Sequence, residues 1–141
     1  MELHNTKEEG RVYMPLKIFD IVEVDFCGNV GSEQLGVRPS VIVQNDSGNL
    51  HSPTVIVIPL TSEIKKLYIP THKIIQKSTD NGLDSTSMLL GEQIRSIDKQ
   101  RIKYKRGCLS KEHDRQSVIQ VYLANLTGKI SSNISESEVL R

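Results

Sequence analysis

Basic side chains recur at every second residue between positions 99 and 105, and this spacing is the first sign of chemistry with a partner. The four residues are Lys99, Arg101, Lys103 and Lys105. In a β-strand, residues spaced by two point to one face, so the pattern predicts a basic stripe. Such a stripe attracts phosphate in a salt-dependent way and would equally attract an acidic protein segment. It is also typical of an ordinary solvated face.

Two histidines are candidates for proton transfer, because imidazole titrates near neutral pH. His72 begins a predicted strand, and a half-buried strand histidine with a backbone partner is the favoured interpretation. His51 lies in a predicted turn, where a structural role is also favoured. Cys27 and Cys108 are too few for a disulfide framework and lack metal-ligand spacing. A reduced setting is therefore expected, and neither a metal nor a cofactor is among the expected partners.

The overall charge hides a basic segment. The chain has 141 residues, with 18 Lys and Arg against 17 Asp and Glu, for a net charge of +1. This balance argues against a histone-like or strongly acidic protein, yet residues 92–115 hold eight of the basic and four of the acidic side chains. No apolar run approaches the ~20 residues of a membrane span, and the polar start lacks a signal-peptide pattern. A cytoplasmic setting and no membrane partner are expected.

Short stretches of period-two or continuous β-branched sequence predict a mainly β protein. Val22, Val24 and Phe26 alternate with Glu23 and Asp25, which predicts a half-buried strand. Residues 54–60 are almost all β-branched and predict a strand buried on both faces. Further strands are predicted at residues 40–44, 71–76, 87–91 and 102–108. Turns are predicted at residues 45–49, 80–82 and 96–100.

One helix is predicted near the C-terminus. Ser110 is a plausible N-cap, and Gly128 can end the helix. Between them, apolar residues recur with helical spacing at Ile119, Tyr122, Leu123 and Leu126. Five or more short strands with a terminal helix suggest a small barrel or a strongly bent sheet. We divide the chain into an N-terminal extension (1–16), one domain (17–128) and a polar tail (129–141).

Six short motifs, in order along the chain, resemble the MazF/PemK family of toxin endoribonucleases. The first is VGSEQLGVRP at residues 30–39, a glycine-flanked loop that runs into a strand. The others are VQND (43–46), HSPT (51–54), PLTS (59–62), PTH (70–72) and EQIRSID (92–98). One motif alone would be weak evidence, but their shared order covers residues 18–126, nearly all of the predicted domain.

The resemblance implies a small SH3-like barrel (CcdB/MazF/PemK-type) with a C-terminal helix, acting as a homodimer in the bacterial cytoplasm. Members of the family are metal-independent, sequence-specific ribonucleases that cut single-stranded RNA, chiefly mRNA, and leave 2′,3′-cyclic phosphate and 5′-hydroxyl ends. Each is inhibited by a cognate antitoxin, whose disordered segment covers the surface that RNA uses. The toxin–antitoxin complex binds DNA.

The resemblance also assigns candidate site residues. Arg38 looks like the family's catalytic arginine. The chemistry suits that role, because a planar guanidinium can hold a phosphate through two hydrogen bonds while charge builds on it. Thr61 looks like the second catalytic residue, with a hydroxyl that can bond a phosphate oxygen or position the ribose 2′-hydroxyl. Without the family motif, Arg38 would be an ordinary surface arginine, and Thr61 a strand-end or helix-cap residue.

RNA-binding residues are expected in two places. Ser32, Glu33 and Gln34 occupy the glycine-flanked loop, and Thr71 and His72 lie near the family's base-reading positions. Neither Arg38 nor Thr61 is a convincing general base at neutral pH. Glu33 is a candidate for that role if burial raises the pKa of its carboxyl group.

The chain departs from the family pattern at three positions: Phe19 and Leu35 replace common glycines, and Gly28 replaces a common proline. Because Arg38 and Thr61 are retained, we expect these changes to affect the choice of RNA target more than the ability to cleave RNA. Two alternatives stay open: a non-enzymatic toxin of the same fold that poisons DNA gyrase, and a catalytically degenerate relative that binds RNA or antitoxin.

Overall fold

A computed structural model describes residues 6–8, 11–13, 15–28, 30–31 and 36–129 of the chain. Near the N-terminus, strands β1 (Thr6–Glu8) and β2 (Arg11–Tyr13) pair antiparallel with each other. Both lie in the segment that the sequence predicts to be an extension, which therefore contains a small sheet of its own.

Seven further strands and two α-helices follow along the described chain. They are β3 (Asp20–Asp25), β4 (Val37–Ile42), helix α1 (Asp46–His51), β5 (Thr54–Thr61), β6 (His72–Ile75), β7 (Ser87–Leu90), β8 (Arg95–Asp98), β9 (Ile102–Cys108) and helix α2 (Glu112–Thr127). The strands pair antiparallel in the order β6-β7-β5-β4-β3-β9, with β8 beside β5. The mainly β fold with a C-terminal helix is thus confirmed, as an open sheet across the described residues.

Strand β5 pairs with three other strands. One edge pairs with β4, while the other pairs first with β8, at residues 54–57, and then with β7, at Leu60 and Thr61. Its side chains alternate between two apolar clusters: Val55 and Val57 pack in one, and Ile58 and Leu60 in the other. The prediction of a strand buried on both faces is confirmed.

The prediction that β3 is only half-buried is wrong. Its apolar residues are buried as expected, but Asp20 and Glu23 are also buried, at 2% and 5% exposure. Both carboxylates meet cations from β9, Lys105 for Asp20 and Arg106 for Glu23. A central strand can bury a charge when a neighbouring strand supplies the opposite one.

Two predicted turns contain regular structure. Residues 46–51 form helix α1, because the Asn45 side chain caps it by accepting the Gly48 N–H at 2.9 Å. Residues 95–98 form β8, and a short 3₁₀ helix (Lys99–Arg101) follows. That helix is capped in turn by Asp98, whose Oδ1 accepts the Gln100 N–H at 2.8 Å.

Helix α2 begins one residue later than predicted and turns a different face to the sheet. Its N-cap is Lys111, whereas Ser110 donates its hydroxyl to Asp80 Oδ2 at 2.7 Å. The buried apolar residues are Val118, Val121 and Ala124. The predicted stripe lies on the other side, where Leu126 is 82% exposed. The predicted stop at Gly128 is confirmed, with φ 66° and its N–H bonded to Ala124 O.

Phe19 occupies a left-handed backbone conformation, with φ 70°. Glycine, common at this position in the family, adopts that conformation without strain, whereas other L-residues lose about 1–2 kcal/mol. The phenyl ring packs against the cluster that contains Ile58, and the Arg115 guanidinium carbon lies 5.2 Å from the ring centroid. Packing therefore offsets the backbone strain.

The predicted turn at residues 80–82 is held together by the buried side chain of Asn81, and its backbone contacts β9, where the Cys108 N–H donates to Asp80 O at 2.9 Å. Asn81 Oδ1 accepts the N–H groups of Ser78 and Leu83, both at 3.0 Å, and Asn81 Nδ2 donates to Gln76 O at 2.9 Å. The backbones approach closely here, because a Cβ added to Gly107 would lie 2.1 Å from Asp80 O.

We expect Asn81→Ala to lower the free energy of unfolding by about 3 kcal/mol, because it removes three buried hydrogen bonds worth about 1 kcal/mol each. Urea denaturation measures the change. Thr79→Ala is the matched control: it shortens an exposed side chain in the same turn, so it should change the free energy of unfolding by less than about 0.5 kcal/mol. An Asn81→Ala variant within about 0.5 kcal/mol of wild type would contradict this account.

Candidate active site

Arg38 and Thr61 lie at the same level on neighbouring strands. Ser40 pairs with Pro59 in the ladder between β4 and β5. Two residues further along each strand are Arg38 and Thr61, just beyond the last paired residues. Since opposite residues of an antiparallel pair share a face, both belong to the face of Val24, which is directly opposite Arg38 on β3. The two predicted catalytic residues are thus brought together by register.

The Thr61 hydroxyl has a structural partner and a free bonding direction. Thr61 is buried at the end of β5, and its Oγ1 accepts the Glu63 N–H at 3.1 Å. A hydroxyl that accepts in this way keeps its own proton for donation. The strand-end role is therefore observed, and it leaves Thr61 able to donate a hydrogen bond to a phosphate oxygen.

Arg38 is half-buried near the start of β4, immediately before Pro39. A guanidinium presents its N–H donors in a rigid planar fork, which suits a phosphate. Ser32, Glu33 and Gln34, which precede it in the loop, lie outside the described residues, as does Leu35, so their assigned roles stay predictions.

Thr71 and His72 form a separate cluster around Glu92. The imidazole Nδ1 of His72 lies 3.0 Å from Lys66 O, and its Nε2 lies 2.7 Å from Glu92 Oε2. Thr71 Oγ1 donates to Glu92 Oε1 at 3.3 Å. The backbone partner expected for His72 is present, and the side chain is buried rather than half-buried. The roles of Thr71 and His72 in RNA binding stay predictions.

The expected basic stripe on one strand is wrong. Lys99 and Arg101 belong to the 3₁₀ helix that Asp98 caps, so only Lys103 and Lys105 lie on β9. Lys99 Nζ donates to Asn49 O at 2.5 Å, and burial lowers the pKa of this lysine. Period-two spacing alone does not show where a strand begins.

The other three basic residues of this set also contact protein groups. Arg101 Nη1 donates to the carbonyl oxygens of Asp25 and Cys27, at 3.1 and 3.0 Å. Lys103 and Lys105 approach Asp25 and Asp20, at 3.9 and 3.2 Å. Much of the positive charge at positions 99–105 therefore balances charges and carbonyls within the fold.

Burial raises the pKa of Asp20, although the Lys17 N–H and Lys105 partly oppose the shift. The folded chain then binds a proton at a higher pH than the unfolded chain, whose carboxyl group has a pKa near 3.8. Relative to Asp20→Asn, wild-type stability should fall as the pH rises from 3.8 through the folded pKa, and then level off. Urea unfolding between pH 3 and 7 measures this difference.

Asp25 supplies a control of opposite sign for that experiment. Hydrogen bonds from Cys27 lower the pKa of Asp25 below 3.8. Relative to Asp25→Asn, wild-type stability should rise with pH below 3.8. The same slope for both variants would contradict the assignment.

A cleft of about 430 Å³ opens beside the Arg38–Thr61 pair. Its walls include Arg38, Ser62, Asp84, Ser85, Ser87 and Arg106. The sequence did not point to Arg106, although Glu23 offered a signal: a carboxylate between two apolar residues of a central strand needs a cation nearby. Nothing in the sequence identifies which of 18 basic residues it is.

Arg106 is held by a network around Glu23. Its Nε donates to Glu23 Oε2 at 2.5 Å, and Tyr104 Oη donates to the same oxygen at 3.1 Å. Burial opposes the charged form of Arg106, but the hydrogen bond and negative charge of Glu23 outweigh it, so the pKa of Arg106 is raised. Partial burial and Glu23 together raise the pKa of Tyr104. The cleft wall therefore contains a guanidinium that a buried carboxylate holds in place.

Two further observations concern groups of residues. Across the described ranges, no three His, Cys, Asp or Glu side chains come together as ligands for a metal ion. In the same ranges, none of the helices has the length and apolar character needed to cross a membrane.

The fold is an open antiparallel sheet with a C-terminal helix, and comparison with known proteins gives the family. Residues 17–128 match the family model of the PemK-like, MazF-like toxins of type II toxin–antitoxin systems. The chain belongs to this family.

One curated relative and two solved structures illustrate the similarity. Endoribonuclease MazF of Staphylococcus saprophyticus is 52% identical over 91 residues, which are 64% of this chain and 75% of that protein. MazF from Deinococcus radiodurans superposes with a TM-score of 0.64 at 20% identity, covering 83% of this chain and all of that one. A mycobacterial endoribonuclease in complex with its cognate antitoxin gives 0.63 at 20% identity, covering 80% and 95%. At such identities the two structures support the fold alone.

Proposed function

We propose that this protein is an endoribonuclease toxin that cleaves single-stranded RNA, chiefly mRNA, at specific sequences and without a metal ion, and that a cognate antitoxin inhibits it. The observation that carries the proposal is the level placement of Arg38 and Thr61 at the ends of β4 and β5. The family match and the name of the staphylococcal relative support ribonuclease activity. The mycobacterial neighbour, solved with its antitoxin, supports such a partner.

The proposed reaction is a transesterification that releases the downstream RNA fragment, which carries the 5′-hydroxyl. The ribose 2′-oxygen loses its proton to a base and attacks phosphorus, which forms the O2′–P bond. The P–O5′ bond breaks, and the leaving oxygen takes up a proton. The products are a 2′,3′-cyclic phosphate and a 5′-hydroxyl end, with no net change in protons.

Arg38 and Thr61 would act on the phosphate during this step. The guanidinium of Arg38 binds the non-bridging oxygens as negative charge builds on them, which lowers the barrier when the donors are already in place. The Thr61 hydroxyl, anchored by the Glu63 N–H, donates a further hydrogen bond. Glu33 remains the proposed base, and Ser32, Gln34, Thr71 and His72 remain proposed RNA contacts.

A homodimer in the cytoplasm is also proposed. The outward face of α2 supports an interface between two copies of the chain, because the apolar side chains of Tyr122 and Leu126 are exposed on it. Light scattering after size exclusion would measure the mass of the assembly.

The function is tested by incubating the purified protein with a long mRNA in EDTA and sequencing the 5′ ends of the products. We expect cleavage at a recurrent short sequence, with 5′-hydroxyl ends. Cleavage that requires added metal would overturn the mechanism. An intact mRNA pool together with inhibited DNA supercoiling would identify a gyrase-poisoning toxin instead, and RNA binding without turnover would identify a degenerate relative.

A further inference from the structure

Arg106 presents its guanidinium to the cleft from a fixed position. Its side chain is only 15% exposed, and Nε bonds to the buried carboxylate of Glu23. Nη1 donates to Gly82 O at 2.9 Å. These two contacts hold the inner side of the guanidinium and orient its outer side towards the cleft.

The outer side of the guanidinium is covered by a loosely held carboxylate. Asp84 Oδ2 lies 3.4 Å from both Nη1 and Nη2, and the Asp84 side chain is 86% exposed. Exposed ion pairs of this kind contribute little to stability. Asp84 therefore occupies an anion position that another anion can take at small cost.

We propose that the cleft is a second phosphate site for RNA, in which Arg106 binds a backbone phosphate flanking the scissile one and displaces Asp84. This inference rests on the proposed function. Nη1 and Nη2 of Arg106 share the single oxygen Asp84 Oδ2 at 3.4 Å, and a phosphate, which offers two oxygens, can engage the two nitrogens separately. Ser62 and Ser85 line the same cleft, and a serine hydroxyl can donate to a phosphate oxygen.

The position of the cleft favours RNA over an acidic peptide. Arg38 and Arg106 both line the cleft, so a polynucleotide whose scissile phosphate is held by Arg38 lies at its entrance. Strand β9 is separated from β4 by β3 alone, and two strand spacings amount to about 10 Å. A flanking phosphate, not the scissile one, would therefore meet Arg106.

Asp84→Asn tests the proposal with little risk to the fold, because the side chain is exposed. Asp80→Asn is the matched control: it makes the same charge change in the same loop, its side chain can still accept the Ser110 hydroxyl, and it does not line the cleft. Binding is measured with a 2′-O-methylated copy of the cleaved RNA, which has no attacking hydroxyl, and cleavage is measured on the unmodified RNA.

We expect Asp84→Asn to lower the Kd for the methylated RNA about threefold to tenfold relative to Asp80→Asn, because a repulsive charge leaves and Arg106 is uncovered. The double variant Glu23→Leu/Arg106→Met removes the buried pair together. It should raise the Kd about tenfold and reduce the slope of log Kd against log salt by about 1, while circular dichroism shows a folded protein.

If the wild-type protein cleaves RNA but Asp84→Asn and Asp80→Asn bind the methylated RNA with equal affinity, the inference is overturned and the proposed function stands. Wild-type protein that neither binds nor cleaves RNA would overturn the proposed function itself. An Asp/Glu-rich synthetic peptide that binds Asp84→Asn more tightly, with RNA affinity unchanged, would assign the cleft to a protein partner and also overturn the inference.

Discussion

Arg38→Ala is expected to lower kcat for RNA cleavage about 10²–10³-fold, with a smaller effect on KM, because the arginine stabilises charge that appears mainly in the transition state. Arg38→Lys keeps the positive charge but loses the planar fork, so it should recover only part of the activity. Single-turnover cleavage of the mapped RNA site in EDTA measures both variants.

The matched control is Lys77→Ala, which removes an equal charge from an exposed position. It should leave kcat within about twofold of wild type, because screened surface charges act weakly. Thr61→Val tests the second residue: it keeps the side-chain shape and removes the hydroxyl, whereas Thr61→Ser restores a donor. Full activity in Arg38→Ala would contradict the assigned role, as would equal losses in Arg38→Ala and Lys77→Ala.

The second large effect concerns the buried pair of Glu23 and Arg106. Arg106→Met leaves a carboxylate that is 5% exposed without its cation, and we expect it to lower the free energy of unfolding by about 3–5 kcal/mol. In contrast, Glu23→Leu/Arg106→Met replaces both charges with apolar groups and should be within about 1 kcal/mol of wild type, or more stable.

Urea denaturation of the wild type, both single variants and the double variant completes a thermodynamic cycle for this pair. A large coupling energy is expected because the two side chains share one buried hydrogen bond. Additive losses in the double variant would show that the two residues act independently, which would contradict the account of β3.

Local sequence patterns correctly predicted those strands whose burial depends on their own residues. The β-branched run at residues 54–60 indicated a strand buried on both faces, and β5 packs into both apolar clusters. The motif around Arg38 and Thr61 identified both residues, but their level placement depends on the register between β4 and β5. That register is set by the pairing of Ser40 with Pro59, and it cannot be predicted from the sequence of either strand alone.

Errors arose where two patterns competed or where the partner was distant in sequence. Helix α2 carries two apolar stripes, and the sheet selects the one containing Val121 because Gly91 allows close contact there. Glu23 finds its cation 83 residues away, a pairing that no local pattern contains. Asp98 ended the predicted basic stripe by capping a 3₁₀ helix.

Strand β5 has a consequence for how the site can be switched off. It contacts β4 on one edge and β8 and β7 on the other, and it contributes to both apolar clusters. Its backbone amides should therefore exchange with solvent deuterium only through opening of the whole domain, not through local fraying. A protein that silences this enzyme has to cover a site that stays formed, because melting the strand that carries Thr61 would require unfolding the entire molecule.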